Sequence, residues 1–142
     1  MASGKIKKIL VALDGSKTSY KGLEIAIYLS RQCGATITGI HVISIYPRNL
    51  GDMIAPIRNR LVKDAEKFMN NAKTISAQNG IIFYKKIIYG DAKNEIPNFA
   101  KENKFDLIVI GSRGLTSVKE VFLGSVSNAI VHKTHLPLLV IR

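Results

Sequence analysis

Four residues in the second half of the chain, Gly111, Gly114, Gly124 and Ser125, follow the spacing G-x2-G-x9-G-S. An apolar run, Leu107 to Ile110, leads into the first glycine, and Gly124, Ser125, Val126 and Ser127 open a helical pattern beyond the last. A buried strand that passes through a glycine-rich loop into a helix start suits phosphate groups. Glycines let backbone N–H groups come close, and the helix N-terminus supplies partial positive charge. Backbone N–H groups around Gly124, with the Ser125 and Ser127 hydroxyls, can hold phosphates. One helix N-terminus contributes only ~0.3–1 kcal/mol per favourable exposed charge. Tight binding therefore needs the whole cradle, together with Arg113 in the loop or a metal.

A second candidate is Asp14, in Asp14-Gly15-Ser16 at the end of the first apolar run. It can contact a ribose or a metal, and it can also serve as the turn residue before a helix; the two roles are compatible. Other chemistry-bearing residues read as structural. His132 and His135 lack a nearby carboxylate or cysteine and make a poor metal site. His41 lies within a strand, and Cys33 sits near a helix end and reads as packing. No Ser/His/Asp or Cys/His set falls on these loops, and Asp91 belongs to the end of the third strand, across the sheet from Asp14. A phosphate cradle without an evident general base implies binding, with hydrolysis slow if present. The P-loop pattern G-x4-G-K-[ST] is absent, as is G-x-G-x-x-G after the first strand.

The elements that must position these loops follow from periodicity. Ile6 to Leu13 is too continuously apolar to alternate and reads as a central strand covered on both faces. Ser16 is placed to cap a helix running to about Cys33, which Gly34 ends. Ala35 to Ile45 is a second strand, and Tyr46 to Ile54 a loop. A long helix over Ala55 to Gln78 carries an apolar stripe of Ile57, Leu61, Ala65, Phe68, Ala72 and Ile75, expected to be core. Ile81 to Tyr89 is a third strand, followed from Gly90-Asp91 by a helix ending near Asn103. Pro97 requires that helix either to start near it or to be kinked. Leu107 to Ile110, a helix over Ser125 to His132, and a strand over Leu138 to Ile141 complete a β-α-β-α-β-α-β-α-β pattern.

Such alternation predicts one domain over residues 1–142: a doubly wound five-stranded parallel sheet, order 3-2-1-4-5, with helices on both faces. In such a sheet ligands bind beyond the carboxyl ends of the strands, where strand order reverses. That point lies between strands 1 and 4, so topology alone brings Asp14 to the glycine loop. The end of strand 2, around His41 to Ile43, is next door and can form an apolar wall.

Composition sets the broad class. The chain has 142 residues, 46% hydrophobic and 22% charged, as in ordinary globular proteins. No apolar run approaches the ~18 residues needed to span a bilayer, and MASGKIKK has no apolar segment of signal-peptide length. A single cysteine excludes an intrachain disulfide. A cytoplasmic protein that does not bind membrane is expected. The net charge of +11 favours anionic partners. The basic residues are dispersed, which argues for solvated faces over a nucleic-acid patch.

The arrangement resembles the ATP-binding branch of the universal stress protein family. The likeness rests on the Gly111, Gly114, Gly124, Ser125 spacing and on a series of matching words: KKILVALDGS, the GD turn after the third strand, DLIVIGSRG, FLGSVS and PLLVIR. It covers essentially the whole chain. It implies that Ala12, Leu13 and Asp14 lie near adenine and ribose and that Val42 flanks the adenine. It places Ile110, Gly111, Arg113 and Gly114 on the ribose and phosphate side, and gives the phosphates to Gly124, Ser125, Val126 and Ser127. Ala12 stands where many members have proline, and Ser127 where many have threonine; Ser127 keeps the hydroxyl. The implied ligand is ATP, with magnesium bound through it near Asp14, and AMP or cyclic AMP as alternatives. The implied role is regulatory, in stress response, with a slow ATPase or other nucleotide-hydrolysing enzyme on the same fold as the competing reading. A receiver domain fits less well, since Asp14 is single. A homodimer through Leu138 to Ile141 is implied by the family, and an apolar edge strand supports it independently.

Overall fold

The computed structural model describes residues 5–44, 54–112 and 123–142. Among these residues nine elements follow in chain order: β1 (Lys8–Ala12), α1 (Lys17–Cys33), β2 (Thr36–Ile43), α2 (Ile54–Gln78), β3 (Phe83–Tyr89), α3 (Ala92–Glu102), β4 (Leu107–Gly111), α4 (Ser125–Lys133) and β5 (Leu138–Ile141). The strands form one five-stranded sheet, β3-β2-β1-β4-β5, and every pairing is parallel. This is the doubly wound order expected from the alternation of strands and helices.

The pleat explains the continuous apolar runs. Ile9 and Val11 of β1 join one buried cluster with Leu23, Ala26 and Ile27 of α1 and Ala65, Met69 and Ala72 of α2. Leu10 points the other way, into a cluster with Ile96 and Ala100 of α3 and Ile130 of α4. A strand buried on both faces has no polar side to show. The α1 ends are those the sequence marks. Ser16 accepts a hydrogen bond from the Ser19 N–H, and Gly34 adopts the left-handed conformation at φ 70°. At the opposite end of the sheet, Asp106 Oδ2 accepts from the N–H groups of Lys7 (2.8 Å) and Lys8 (3.0 Å), tying the approach to β4 against the start of β1.

Three expectations need correction. The first three strands are shorter than the apolar runs that announce them, whereas β4 runs one residue further, to Gly111, and β5 has the expected bounds. Ile6 lies outside β1, although it packs on the core, and Leu13 lies outside it as well. The α2 stripe is core only from Ala65 onward: Ile57 is 61% exposed and Leu61 43%. The helix has 25 residues and rises ~37 Å, against ~23 Å for the seven residues of β3. One end of it must outrun the sheet, and periodicity does not say which. Met69 and Ser76, absent from the expected stripe, are fully buried. Lastly, of the two alternatives for Pro97 a helix start is excluded: Asp91 caps α3 by accepting from the Lys93 N–H, and Pro97 stands inside the helix, in its second turn. Ser44, expected in the second strand, falls outside β2, and Ile54, expected in the following loop, opens α2; Ile45 and the rest of the loop expected over Tyr46 to Ile54 lie outside the described residues.

Candidate functional site

Strand order reverses between β1 and β4, which pair in parallel with Val11 opposite Val109. Among the described residues, three pieces stand beyond their carboxyl ends.

The first is an apolar wall. Val42 is 9% exposed and Ile110 6%, and both belong to the cluster on the α3/α4 face; half-buried Ala12 packs against it. Three expected site residues, from three adjacent strands, therefore share one face at the same end of the sheet. Leu13 does not join them. Its side chain is 2% exposed and belongs to the opposite cluster. Its N–H donates to the Ile40 carbonyl (2.9 Å), and its own carbonyl accepts from His41 Nδ1 (2.8 Å). Leu13 thus holds the turn and offers its side chain to the core, not to a ligand.

The second piece is the turn after β1. Asp14 Oδ1 accepts from the Ser16 N–H (2.9 Å), the side-chain-to-backbone bond of an Asx turn. Gly15 has φ +83°, a left-handed conformation that glycine adopts without penalty. A Cβ there would also stand 3.0 Å from the Phe68 ring. Asp14 is thus the turn residue before the helix, and Ser16 is its cap.

The third piece joins the end of β4 to the start of α4. The Ser112 N–H donates to the Ile141 carbonyl (2.6 Å), and the Ser112 carbonyl accepts from the Gly124 N–H (2.5 Å). Ser127, 2% exposed, directs its hydroxyl to the same Ser112 carbonyl (3.0 Å), with the Gly124 carbonyl as a second acceptor (3.1 Å). The chain leaving β4 and the chain entering α4 are clasped at Ser112. Gly124 is the N-cap and has no side chain to cap with; the first intrahelical bond runs from Asn128 N–H to the Gly124 carbonyl (2.9 Å). The amides of Ser125, Val126 and Ser127 are consequently the first-turn N–H groups that a helix cannot satisfy from within itself.

This arrangement gives one expected residue, Ser127, internal partners. The Ser127 hydroxyl has one proton, and that proton faces the protein's own carbonyls. Ser125 is exposed at the helix start, and Val126 packs half-buried on the α3/α4 cluster. Arg113 and Gly114 lie outside the described residues, as does the rest of 113–122.

His41 and Phe68 carry more of the site's framework than the sequence disclosed. The imidazole stands edge-on to the Phe68 ring, with centroids 4.9 Å apart and planes at 88°. Burial holds the His41 pKa below its ordinary 6.5, against the opposing effects of the Leu13 carbonyl and the Asp14 carboxylate. Strand parity was the available signal, because His41 must face away from Val42, toward α1 and α2. Among the described residues, no group of three or more His, Cys, Asp or Glu side chains could hold a metal ion, and no helix is long and apolar enough to cross a membrane.

A Rossmann-like doubly wound domain with a polar cradle and an apolar wall at its switch point defines the structural class. Residues 5–142 match the model of the universal stress protein family, and the chain belongs to that family. It is 35% identical to universal stress protein YxiE of Bacillus subtilis, over 95% of this chain and 98% of that one. Among solved structures, MJ0577 of Methanocaldococcus jannaschii superposes with a TM-score of 0.88 at 29% identity, covering 95% of this chain and 94% of that one. A universal stress protein of Archaeoglobus fulgidus, solved in complex with dAMP, shares the fold with a TM-score of 0.74 at 20% identity, covering 96% and 98%.

Proposed function

We propose that this chain is an ATP-binding regulatory protein acting in stress response through its dimer and partner surfaces. The observation that carries the reading is the meeting, at one switch point, of the Ser125, Val126 and Ser127 amides with the wall of Ala12, Val42 and Ile110. An adenine base suits the wall, and a phosphate chain suits a helix start whose cap is glycine. The dAMP complex of the Archaeoglobus fulgidus protein supports an adenine nucleotide as the class of ligand. Arg113 and Gly114 extend the cradle on the strength of the family spacing. Magnesium enters with the triphosphate near Asp14, one of whose carboxylate oxygens is already occupied by the capping turn. AMP and cyclic AMP are the alternatives that lack a full triphosphate. The regulatory reading is preferred to a nucleotide-hydrolysing enzyme because the loop after the first strand carries Asp14 singly, with no second carboxylate beside it in the Leu13 to Ser19 sequence.

The dimer forms through β5. This strand is a sheet edge, and Leu138, Leu139 and Val140 are only half-buried. An edge of that kind is a template for a second strand.

Heat-denaturing the purified protein should release an adenine nucleotide, and stripped protein should bind ATP with magnesium. Gly124→Val is the specific control. Gly124 has φ −69° and ψ 169°, which any residue adopts, so the variant keeps the fold while its side chain crowds the three amides. Loss of ATP binding in a folded Gly124→Val protein is expected. Unchanged affinity would place the phosphates elsewhere.

A further inference from the structure

The nucleotide reading gives no role to His41, the half-buried imidazole behind the β1 turn. We infer that His41 is a positioning residue: together with Phe68 it braces the Leu13–Asp14–Gly15 turn in the shape that receives the nucleotide. This rests on the nucleotide reading above and names what sets the geometry of that site.

Leu13 is the first residue past β1, where sheet pairing ends and the chain must turn. Its carbonyl accepts from His41 Nδ1 at 2.8 Å. A carbonyl only accepts, so Nδ1 carries the proton. In a trans peptide the next N–H points opposite to that carbonyl. The Asp14 N–H accordingly faces Ser19 Oγ at 3.5 Å, and the Ser19 hydroxyl donates onward to the Ser16 carbonyl at 2.8 Å. One peptide plane is gripped from β2 on one side and approached from α1 on the other. Asp14, whose Oδ1 closes the turn onto the Ser16 N–H, inherits its direction from that plane.

Phe68 supplies the second contact. Its ring meets the imidazole edge-on and also limits the space at Gly15. Its backbone carbonyl accepts from the Tyr20 hydroxyl (2.9 Å), which in turn accepts from Asn71 Nδ2 (3.2 Å). Side chains from β2, α2 and α1 therefore converge behind one three-residue turn. A histidine that only filled space would need no nitrogen within hydrogen-bonding distance of this carbonyl. Burial favours the neutral ring, which keeps Nδ1 as its single donor.

The test compares His41→Asn, His41→Gln and His41→Leu. The asparagine amide nitrogen takes the place of Nδ1; the glutamine amide reaches past it; leucine has no donor. ATP with magnesium is titrated by calorimetry into stripped proteins, at a temperature where circular dichroism shows each to be folded. Loss of the donor should weaken binding roughly tenfold in His41→Leu and His41→Gln, while His41→Asn stays within about threefold of the parent. If His41→Leu melts earlier but binds ATP as the parent does, the ring is a core filler; the inference falls and the nucleotide reading stands. Equal losses in His41→Asn and His41→Gln would also overturn it, because the position of the donor would not matter. Should His41→Leu fail to fold, the Asn and Gln pair carries the same contrast. A parent protein that binds neither ATP nor AMP removes the nucleotide reading and the inference together.

Discussion

Removing the Ser127 hydroxyl separates two ways a serine can serve a phosphate site. In a direct role the hydroxyl donates to a phosphate oxygen. In the structure its one proton is directed at the Ser112 carbonyl (3.0 Å), with the Gly124 carbonyl as the alternative (3.1 Å), and the side chain is 2% exposed. Ser127→Ala therefore deletes an internal clasp. The Ser112 carbonyl keeps its bond from the Gly124 N–H, so no buried acceptor is stranded. The cost is that of one net hydrogen bond, about 0.5–1.5 kcal/mol. For a chain of this size that is a fall of roughly 2–6 °C in Tm. The Ser125, Val126 and Ser127 amides remain at the helix start, held less firmly, and ATP affinity should drop by less than about tenfold. Thermal denaturation and calorimetric titration of the same preparation measure both quantities. A Tm unchanged within error, with affinity reduced a hundredfold or more, would refute the reasoning. It would mean that the hydroxyl turns outward to the ligand and that the clasp is dispensable.

Three further outcomes are expected. His41 has a folded-state pKa below the unfolded 6.5, so the unfolded chain binds more protons as pH falls through and below that value. Stability should be undiminished by His41 above about pH 6.5 and decline on acidification. Denaturant titrations at about pH 7.5 and pH 5 should show a larger loss for the parent than for His41→Asn, and equal losses would refute the assignment. Ile108 and Ser112 donate to the Pro137 and Ile141 carbonyls, so alternation turns the N–H groups of Leu138 and Val140 outward from the sheet. Val140→Pro removes an outward donor without breaking the ladder to β4, and should yield monomer in sedimentation where the parent sediments as a dimer; a persistent dimer would rule out edge pairing. At Gly39, a Cβ would stand 2.4 Å from Phe83 Cζ and 3.0 Å from Leu13 Cδ1, so Gly39→Ala should destabilise the protein by about 1–3 kcal/mol in denaturant titration. Unaltered stability would show that the Phe83 ring moves aside freely.

The sheet order was legible because apolar runs bounded by Asp14-Gly15 and Gly34 leave few alternatives to a parallel, doubly covered sheet. Ser16 and Gly34 marked both ends of α1 through chemistry local to those positions. Of the apolar wall expected around His41 to Ile43, only Val42 lies on the face shared with Ala12 and Ile110, while His41 turns to Phe68 on the other side. What sequence did not disclose depends on contacts between distant segments. The period of Ile57, Leu61 and Ala65 is helical throughout, yet only the packing partner decides that burial starts at Ala65. Leu13 reads as a site residue by position, but its parity sends it to the opposite cluster. Ser127 reads as a ligand because a hydroxyl beside a glycine suits phosphate. Nothing local reveals that Ser112, fifteen positions earlier, competes for its proton.

That competition bears on how the cradle works. A loop that must be ordered by its ligand spends binding energy on lost conformational freedom, of the order of 1–2 kcal/mol per backbone residue. Here the Gly124 N–H and the Ser127 hydroxyl already bind the Ser112 carbonyl, and the Ser112 N–H is fixed to the outgoing end of β5. On the other arm, the Leu13 carbonyl and Asp14 Oδ1 are engaged by His41 and the Ser16 N–H. At Ser112 and Gly124 on one arm, and at Leu13 and Asp14 on the other, the protein's own hydrogen bonds thus hold the chain. The groups engaged are side chains, strand ends and cap-residue amides, whereas the first-turn amides of α4 are those a helix cannot satisfy from within itself. The division explains why glycine suits the cap position. A serine or aspartate at 124 would cap the helix better in isolation, but its oxygen would take an amide of that first turn for itself.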